Sequence, residues 1–212
     1  MMDQIVIKNA CKSIKGRLVL DDVCLTLDAG NVYGFYGANG SGKTMLFRAI
    51  AGLIRLDKGE ISVFSERIGT DTDFPKNMGL IIEKVGFWDE FTGFDNLKLL
   101  ASIQRKIGKE GIKEAMSRVG LDYKDRRNYK RYSLGMKQRL GIAQAIMERL
   151  KLLILDEPTN ALDEDGLKLI HNIICEERQK GVTILLASHN AEELQSLCQK
   201  QYKMCDGRLQ DG

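Results

Sequence analysis

The sequence predicts an α/β fold with a mainly parallel β-sheet, and two observations support that prediction. In the last third of the chain, apolar strand-sized runs alternate with helical segments in the order KLLILD, DEDGLKLIHNIICEERQ, VTILLAS, AEELQSL and KQYKM. Buried apolar strands that are separated by helices are typical of a parallel sheet. The stretch from about residue 85 to 135 is mostly helical and interrupts the strand pattern, which predicts an inserted α-helical subdomain.

Short strands fill the N-terminal third of the chain. Apolar and polar residues alternate clearly in QIVIK and less clearly in LVL, VCLTL, NVYGFY and the later ISVF, a pattern that favours β-strands. Helical periodicity predicts helices at 43–53, 95–107, 111–119 and 134–150. One face of the last of these helices carries Leu140, Ala143, Met147 and Leu150.

Length and composition indicate one well-buried domain. The chain has 212 residues, of which 43% are hydrophobic, and we expect residues 1–212 to form a single domain with a smaller subdomain. Charged residues make up 29% of the chain, but the net charge is only +3. This charge balance argues against a dominant nucleic-acid-binding surface, so no nucleic-acid partner is expected.

Cysteine usage and the lack of long apolar runs indicate the compartment. The five cysteines are odd in number and contain no CxxC pair, which favours reduced thiols over a disulfide framework or a zinc site. The N-terminal segment MMDQIVIKNACKSIKG lacks the apolar core of a signal peptide. The longest apolar runs, such as LLIL, have the length of a strand. We therefore expect a protein that is neither secreted nor membrane-spanning.

The segment GANGSGKT lies between the predicted strand NVYGFY and a predicted helix, the context in which the pattern GxxxxGK[ST] binds phosphates. Its glycines let backbone N–H groups turn inward, and the helix directs its positive end at the phosphates. Lys43 would reach the β- and γ-phosphates, and the Thr44 hydroxyl would ligate Mg²⁺. A chance glycine-rich turn, the alternative, does not account for the flanking strand and helix. The candidate nucleotide-binding residues are Gly37, Ala38, Asn39, Gly40, Ser41, Gly42, Lys43 and Thr44.

Two adjacent carboxylates follow the apolar residues of the run LLILD: Asp156 ends the run, and Glu157 comes directly after it. Asp156 would face the phosphate loop, where it could contact Mg²⁺ directly or in the second sphere. Neighbouring side chains at the end of a strand project in different directions. Glu157 could therefore orient or deprotonate the attacking water while Asp156 contacts the metal, a role worth about 10²–10⁴ in rate. Alternatively, the pair only caps a strand before a turn. No NKxD-like guanine-reading motif occurs, which argues against a GTPase.

The two histidines differ in their sequence context. His189 follows the apolar run LLAS at the carboxyl end of a predicted parallel strand, where ligands bind in such sheets. We favour a catalytic contact between His189 and the γ-phosphate over a solvated surface role. His171 lies inside the helical segment KLIHNII and is expected to be structural.

Four motifs in order resemble those of the ATP-binding-cassette (ABC) ATPase domain: GANGSGKT, YSLGMKQRL, LLILDEPTNALD and the histidine of ASHN. The resemblance covers essentially the whole chain. It implies a mainly parallel sheet of the P-loop NTPase type, an N-terminal antiparallel β subdomain and an inserted α-helical subdomain. It also implies ATP and Mg²⁺ as cofactors, and ATP hydrolysis coupled to transport.

The stretch YSLGMKQ resembles the signature motif of that family, commonly LSGGQ. In the family two cassettes pack head to tail, and the signature of one closes over the ATP of the other, so a second cassette in a homodimer is implied. Ser133 and the backbone around Gly135 would begin a helix that binds the γ-phosphate, with Gln138 as a further nucleotide contact. Ser133 could also be an N-cap. The sequence departs from the motif at Leu134 and at the Met-Lys pair before Gln138.

Two further departures concern the nucleotide base and the metal. In the family an aromatic residue stacks on the adenine base, and that position aligns with Ile14. An aliphatic contact would then replace stacking worth about 1–3 kcal/mol. Alternatively, the alignment is shifted and no residue here stacks on the base. The Q-loop glutamine of the family aligns with Glu83, a candidate metal ligand, in MGLIIEKVGFWDEFTGFDNL. This segment and YSLGMKQRLGIA resemble the bacitracin- and lantibiotic-resistance branch of ABC transporters, which implies export of, or resistance to, antimicrobial peptides.

The resemblance implies an ATPase subunit that powers a separate membrane permease. Such a subunit is cytoplasmic and is held peripherally at the cytoplasmic face of the membrane by the permease. Cassettes of the family contact the permease in the region that follows the Q-loop. In this sequence that region contains four aromatic residues, some of which could equally be core residues: Phe87, Trp88, Phe91 and Phe94. The basic run 124–131 is expected to be a solvated face rather than a contact with the permease or with lipid headgroups.

Other classes of protein fit the sequence less well. A DNA-repair ABC protein would need a long coiled-coil insertion before the signature motif, and no sustained heptads occur there. A translation factor of the family would carry two cassettes on one chain. The more serious alternative is a nucleotide-gated binding or regulatory module with little hydrolysis of its own. Ile14 and Glu83 suggest that alternative, whereas Glu157 and His189 oppose it.

Overall fold

Ten β-strands and six α-helices make up the part of the chain that the computed structural model describes, which is residues 4–83, 86–160, 162–189 and 191–210. The strands are β1 (Gln4–Ile14), β2 (Arg17–Asp28), β3 (Val32–Tyr36), β4 (Lys58–Val63), β5 (Glu66–Arg67), β6 (Met78–Ile81), β7 (Leu152–Asp156), β8 (Thr183–Ser188), β9 (Lys200–Cys205) and β10 (Arg208–Gln210). The helices are α1 (Lys43–Ile50), α2 (Gly93–Gln104), α3 (Lys109–Arg118), α4 (Leu134–Ile146), α5 (Glu164–Gln179) and α6 (Ala191–Gln195), with a 3₁₀ turn at Tyr129–Arg131.

The strands form two sheets. An antiparallel sheet has the order β2-β1-β4-β5, and a second sheet has the order β10-β9-β3-β8-β7-β6. In the second sheet every adjacent pair is parallel except β10 with β9. This arrangement confirms the predicted α/β fold, with its mainly parallel sheet and its antiparallel N-terminal strands. Because β3, β8 and β7 are neighbours, the loops that follow them leave the sheet from one edge.

Two hydrophobic cores cover the faces of the parallel sheet. One lies between the two sheets and includes α1, where Phe47 packs edge-to-face on Phe35 of β3 with 5.3 Å between ring centroids. The other lies on the opposite face and includes Leu97 of α2, Leu140 of α4 and Ile173 of α5. The first residue of the predicted helical subdomain, at about 85, lies outside the described residues. No helix in the described ranges combines the length and the apolar character that crossing a bilayer requires.

The N-terminal strands differ in detail from the prediction. The runs LVL and VCLTL belong to one continuous strand, β2, and not to two strands. Between them the register shifts, and Asn9 and Asp22 both have positive φ, of 47° and 50°. The Asn9 side-chain amide donates to the Asp22 carboxylate at 2.8 Å, which stabilises the irregularity. The sequence pattern does not predict β5 and β10, because strands of two or three residues are too short to show a period.

Candidate nucleotide-binding site

The carboxyl ends of three neighbouring parallel strands bring the candidate site together. Tyr36, the last residue of β3, lies opposite Ser188, the last residue of β8. Asp156, the last residue of β7, pairs with the residue before Ser188. The phosphate loop, residues 37–44, follows β3, and the predicted histidine and glutamate follow β8 and β7. Open α/β sheets bind their ligands at this edge.

Lys43 occupies the centre of the phosphate loop. It is the first residue of α1, it is only 5% exposed, and it follows Gly42, whose φ of 109° favours glycine. The Lys43 Nζ donates to the carbonyl oxygens of Gly37 at 2.7 Å and Ala38 at 3.3 Å. Gly42 has no side chain with which to cap α1, so the first N–H groups of this helix are directed toward any anion bound in the loop.

The C-terminal strands hold the phosphate loop from behind. A Cβ atom at Gly37, whose φ is 148°, would lie 2.2 Å from the Met204 carbonyl oxygen of β9, so only glycine fits there. The Gly207 N–H, in the turn between β9 and β10, donates to the Ser41 carbonyl at 2.9 Å. The shape of the loop therefore depends on residues far away in the sequence.

Thr44 and Asp156 are in direct contact. The Thr44 hydroxyl donates to Asp156 Oδ2 at 2.6 Å. Asp156 is 7% exposed, and its Oδ1, like the Ser41 Oγ, is buried with no hydrogen-bond partner among the described residues. Burial raises the pKa of Asp156; the Thr44 hydrogen bond lowers it, and the nearby charge of Glu157 raises it again. A buried carboxylate oxygen that lacks a partner is a suitable ligand for a hard divalent cation, so these residues fit Mg²⁺.

Glu157 and His189 form a second contact at the same edge. The distance from His189 Nδ1 to Glu157 Oε2 is 2.9 Å, so an Nδ1–H group can donate to the carboxylate. The Glu157 backbone has a φ of 50°, a left-handed conformation that is uncommon for glutamate, and its N–H donates to the Ala187 carbonyl at 2.9 Å. Strained backbone of this kind is often found at functional sites. The His189 side chain is 58% exposed.

A cavity of about 310 Å³ joins the phosphate loop to the carboxylates. Its walls are Arg17, Val19, residues 39–45, Glu83, Asp156 and Glu157. The predicted site residues that do not line it are Ile14, Gly37, Ala38, Ser133, Gly135, Gln138 and His189. The described chain therefore brings the phosphate loop and all three predicted carboxylates to one cavity, and it leaves the signature residues elsewhere.

The hairpin between β1 and β2 contributes Arg17 and Val19, which the sequence motifs do not predict as site residues. Its turn is Lys15-Gly16, with φ values of 49° and 80°, and Ile14 pairs directly with Arg17 across it. Directly paired residues project from the same face of a sheet. Ile14 is 38% exposed and lies beside the cavity wall, next to its partner. A two-residue turn ending in glycine is the signal from which this pairing could be predicted.

The signature residues lie at the surface, at the start of α4. Ser133 is exposed, and its Oγ accepts from the Met136 N–H at 3.2 Å, so it is an N-cap. Leu134, which follows it, is 64% exposed. The Gln138 side-chain amide donates to the Pro158 carbonyl at 3.1 Å. Gln138 therefore connects α4 to the segment that follows the catalytic candidates, a contact that the sequence does not reveal.

Glu83 lies just beyond β6 at the rim of the cavity. Its φ is 60°, its side chain is 63% exposed, and its Oε1 accepts from Arg48 Nη2 at 2.7 Å. Arg48 belongs to the last turn of α1, one helical turn after Thr44. No local pattern connects Arg48 with Glu83, so sequence reasoning does not identify Arg48.

Comparisons with known proteins agree with this geometry. A family model described as ABC transporter matches residues 20–160. An uncharacterized ABC transporter ATP-binding protein of Bacillus subtilis (strain 168), YybJ, is 44% identical over 206 residues, covering 97% of this chain and 94% of that protein. The bacitracin transport ATP-binding protein BcrA of Enterococcus faecalis is 35% identical, with 95% of this chain and 66% of that protein covered. The lantibiotic transport ATP-binding protein SrtF of Streptococcus pyogenes is 37% identical, with 90% and 82% covered.

Solved structures show the same fold. The dimeric structure of MJ0796, a bacterial ABC transporter cassette, superposes with a TM-score of 0.87 at 20% identity and covers 98% of this chain and 97% of that one. A dimeric post-hydrolysis structure of the MJ0796 cassette bound to ADP and Pi gives a TM-score of 0.87 at 19% identity. It covers the same shares of the two chains.

Proposed function

The chain belongs to the ABC transporter family as an ATP-binding ATPase subunit, and from that membership we propose that it hydrolyses ATP with Mg²⁺ in the cavity beside the phosphate loop and powers a separate membrane permease. The observation that carries the proposal is the single cavity shared by the phosphate loop, Asp156 and Glu157. Because these three elements line one cavity, phosphate binding, metal binding and water activation could take place next to one another.

The phosphate loop would bind the β- and γ-phosphates of ATP. The first backbone N–H groups of α1 have no side-chain cap, and a helix N-terminus favours an anion. Lys43 now donates to two carbonyls of its own loop, and on binding it would exchange them for phosphate oxygens. Because Lys43 is held at the centre of the loop beforehand, little side-chain ordering would remain to oppose binding.

Thr44, Asp156 and Glu83 are the residues that would hold Mg²⁺. When bound, the cation would neutralise charge on the phosphates. The contact between Thr44 and Asp156 supports this ligand set, because it already orients two oxygen ligands. Glu83 belongs to the same cavity wall, and its carboxylate would approach the metal directly or through one water.

Glu157 would accept the proton of the attacking water. Its contact with His189 supports that role, because a histidine that carries a proton on both ring nitrogens can donate through Nδ1 to the carboxylate and through Nε2 to a γ-phosphate oxygen. Asp156 is directed to Thr44, so adjacent carboxylates would divide metal binding and base catalysis between them.

A second copy of the chain, packed head to tail, would complete the site. Ser133 and Gly135 lie at the start of α4, whose first turn is at the surface, and neither lines the cavity of its own chain, which supports a role on the nucleotide of a partner. The solved MJ0796 cassette is described as dimeric. The Gln138 side chain is bonded within its own chain to Pro158, so a nucleotide contact from it would require that this bond break.

The permease would dock near the aromatic residues that follow Glu83. Trp88 and Phe91 are 50% and 43% exposed and their ring centroids are 6.4 Å apart, whereas Phe87 is buried against Tyr129. An exposed aromatic pair is typical of an interaction surface. Relatives named for bacitracin and lantibiotic transport support antimicrobial peptides as the exported substrate, and docking would place the chain at the cytoplasmic face of the membrane.

Phosphate release by the purified chain, measured across a Mg²⁺ titration, tests the ATPase proposal. Thr44→Val removes the hydroxyl that meets Asp156 but keeps the side-chain volume, so we expect turnover to fall and to require more Mg²⁺. Thr26→Val, on an exposed position of β2, is the matched control and should leave turnover unchanged. A wild-type chain that binds ATP but shows no Mg²⁺-dependent turnover, even at high protein concentration, would favour the regulatory-module alternative.

Photo-crosslinking in the source cells tests the docking surface. A photoreactive amino acid at Phe91 should yield a cross-link to an integral membrane protein. The same amino acid at Phe74, which is 54% exposed but lies outside this surface, is the matched control. Equal cross-linking from both positions, or none from Phe91, would contradict the assignment of the surface.

A further inference from the structure

The ion pair between Arg48 and Glu83 connects the phosphate-loop helix to the rim of the cavity. The Arg48 guanidinium donates to Glu83 Oε1 at 2.7 Å, and the two side chains are 31% and 63% exposed. Arg48 is fixed on α1, four residues after Thr44. Glu83 is therefore held by the same helix whose N-terminus faces the phosphate loop.

The charges around the cavity give this ion pair a consequence for anion binding. Three carboxylates line the cavity, those of Glu83, Asp156 and Glu157. They are close enough that the charges of Glu83 and Glu157 both raise the pKa of Asp156. A polyphosphate anion that enters such a site is repelled by each carboxylate that has no counter-charge. Arg48 supplies that counter-charge to Glu83.

The far end of the same connection is fixed independently. Asn96 of α2 is fully buried; its Oδ1 accepts from the Trp88 N–H at 2.8 Å, and its Nδ2 donates to the Trp88 carbonyl at 3.1 Å. The chain between β6 and α2 is thus bonded to α1 at Glu83 and to α2 at Trp88. Asn96 holds Trp88 without any contribution from Arg48. The effect of the ion pair is therefore confined to the position and charge of the Glu83 carboxylate.

We propose that Arg48 is a positioning residue that holds the Glu83 carboxylate at the rim and neutralises it, so that the cavity binds ATP tightly even before a divalent cation offsets the carboxylates. This inference rests on the proposed function, because it takes the ligand of the cavity to be ATP. Arg48 then sets how strongly nucleotide affinity depends on Mg²⁺. The residue does not touch the reacting atoms and acts through Glu83.

Binding measurements with and without Mg²⁺ test the role of Arg48. Affinity for ATP is measured by calorimetry in EDTA and in Mg²⁺ for the wild type and for Arg48→Ala, Arg48→Lys and Glu83→Gln. Exposed ion pairs are weak, so we expect Arg48→Ala to reduce affinity in EDTA about two- to fivefold and to have a smaller effect in Mg²⁺. Arg48→Lys should stay close to the wild type, and Glu83→Gln should bind more tightly in EDTA.

The double variant decides whether Arg48 acts through Glu83. In the Glu83→Gln background, Arg48→Ala should cost less than half of its effect in the wild type. An equal loss in both backgrounds, or equal losses in EDTA and Mg²⁺, would overturn the proposal and leave Arg48 as a general positive charge. Arg55→Ala, an arginine that is 82% exposed and has its nearest acidic partner 3.8 Å away, is the matched control for the loss of one positive charge.

A spectroscopic readout separates positioning from loss of folding. Trp88 is the single tryptophan, and because Asn96 binds its backbone independently of Arg48, its emission reports on folding and not on the ion pair. Arg48→Ala and Arg48→Lys should both keep the wild-type emission and cooperative thermal unfolding, so that a loss of ATP affinity in Arg48→Ala reflects the missing charge and not a loss of folding. If the wild type binds no ATP at all, the proposed function fails. If it binds ATP but Arg48→Ala does not change how strongly affinity depends on Mg²⁺, only this inference fails.

Discussion

The phosphate loop and the signature segment each end at the first turn of an α-helix, but their surroundings are opposite. In the phosphate loop, Ser41 and Lys43 are each 5% exposed, and the helix that follows has no side-chain cap. In the signature segment, Ser133 caps its own helix and Leu134 is 64% exposed. One helix N-terminus is enclosed by the chain, and the other faces outward.

For the proposed site shared by two copies, this difference indicates which half one chain can build alone. The buried loop is supported by a carbonyl of β9 and by the turn after it, and it shares a cavity with the carboxylates. The signature segment has its cap, the bond from Gln138 to Pro158 and the contact of Lys137 with the Tyr129 ring, and none of these joins it to the cavity of its own chain. Nucleotide affinity should therefore depend on the phosphate loop, and assembly should depend on the signature segment.

The largest expected effect is that of Glu157→Gln, because Glu157 is the proposed base and its loss would stop the hydrolysis that is expected to separate the two copies of the chain. Loss of a positioned base should lower turnover by about 10²–10⁴, while ATP binding persists and an ATP-bound dimer accumulates. Phosphate release and size exclusion with ATP measure the two effects. Glu110→Gln, whose side chain is 85% exposed on α3, should behave like the wild type. A variant that stays monomeric with ATP at high protein concentration would argue against the shared site.

Lys43→Ala tests the enclosed half. The variant loses a charge-assisted hydrogen bond of about 1.5–3 kcal/mol, so ATP affinity should fall about 10- to 100-fold. Calorimetry on the monomer measures the loss, and Lys168→Ala, which removes a lysine that is 74% exposed, controls for the change in net charge. Unchanged affinity for Lys43→Ala would contradict the assignment of the phosphate loop.

Ser133→Arg tests the outward half. A bulky cation at the tip of α4 should reduce ATP-driven dimerisation at least about tenfold, since misplaced interface groups cost 1.4 kcal/mol or more. ATP affinity of the monomer should stay the same, because Ser133 does not line the cavity of its own chain. Ser102→Arg, on an exposed turn of α2, is the control. A loss of monomer affinity would show that the signature segment acts within its own chain.

The smallest expected effect is that of Asp156→Asn on thermal stability. Its sign is unusual, because the substitution should stabilise the fold. The raised pKa of Asp156 means that its ionisation destabilises the fold. This destabilisation is absent below the pKa of the unfolded chain and develops as pH rises through the folded pKa. At neutral pH the neutral amide should therefore raise Tm, although it removes a candidate metal ligand.

Calorimetric melting curves between about pH 4 and pH 8 check that sign. The advantage of Asp156→Asn should shrink as pH falls, because protonated Asp156 is already neutral. Asp73→Asn changes a carboxylate that is 75% exposed and should not raise Tm at neutral pH. A lower Tm for Asp156→Asn at neutral pH would mean that hydrogen bonding by the carboxylate outweighs its burial.

The local parts of the site could be predicted from sequence, and the long-range contacts could not. The apolar run LLILD and the glycine pattern before Lys43 contain their own structural signal, and both lie at the predicted sheet edge. The bonds from Arg48 to Glu83 and from Gln138 to Pro158 join residues with no shared period or motif. The burial of individual aromatic residues could not be predicted from the sequence either: Phe87 is a core residue, while its neighbour Trp88 is half exposed.

The fit of Gly37 against the Met204 carbonyl has a consequence for how the protein is made. The two residues are roughly 170 positions apart, and contacts between such distant residues are slow to form because closing the long loop costs entropy. During synthesis the motif GANGSGKT leaves the ribosome long before β9 exists to support it. Nascent chains should therefore acquire ATP-dependent resistance to proteolysis only after β9 and the turn at Gly207 have emerged. A chain that stops before β9 would keep the motif and lack the support that shapes it.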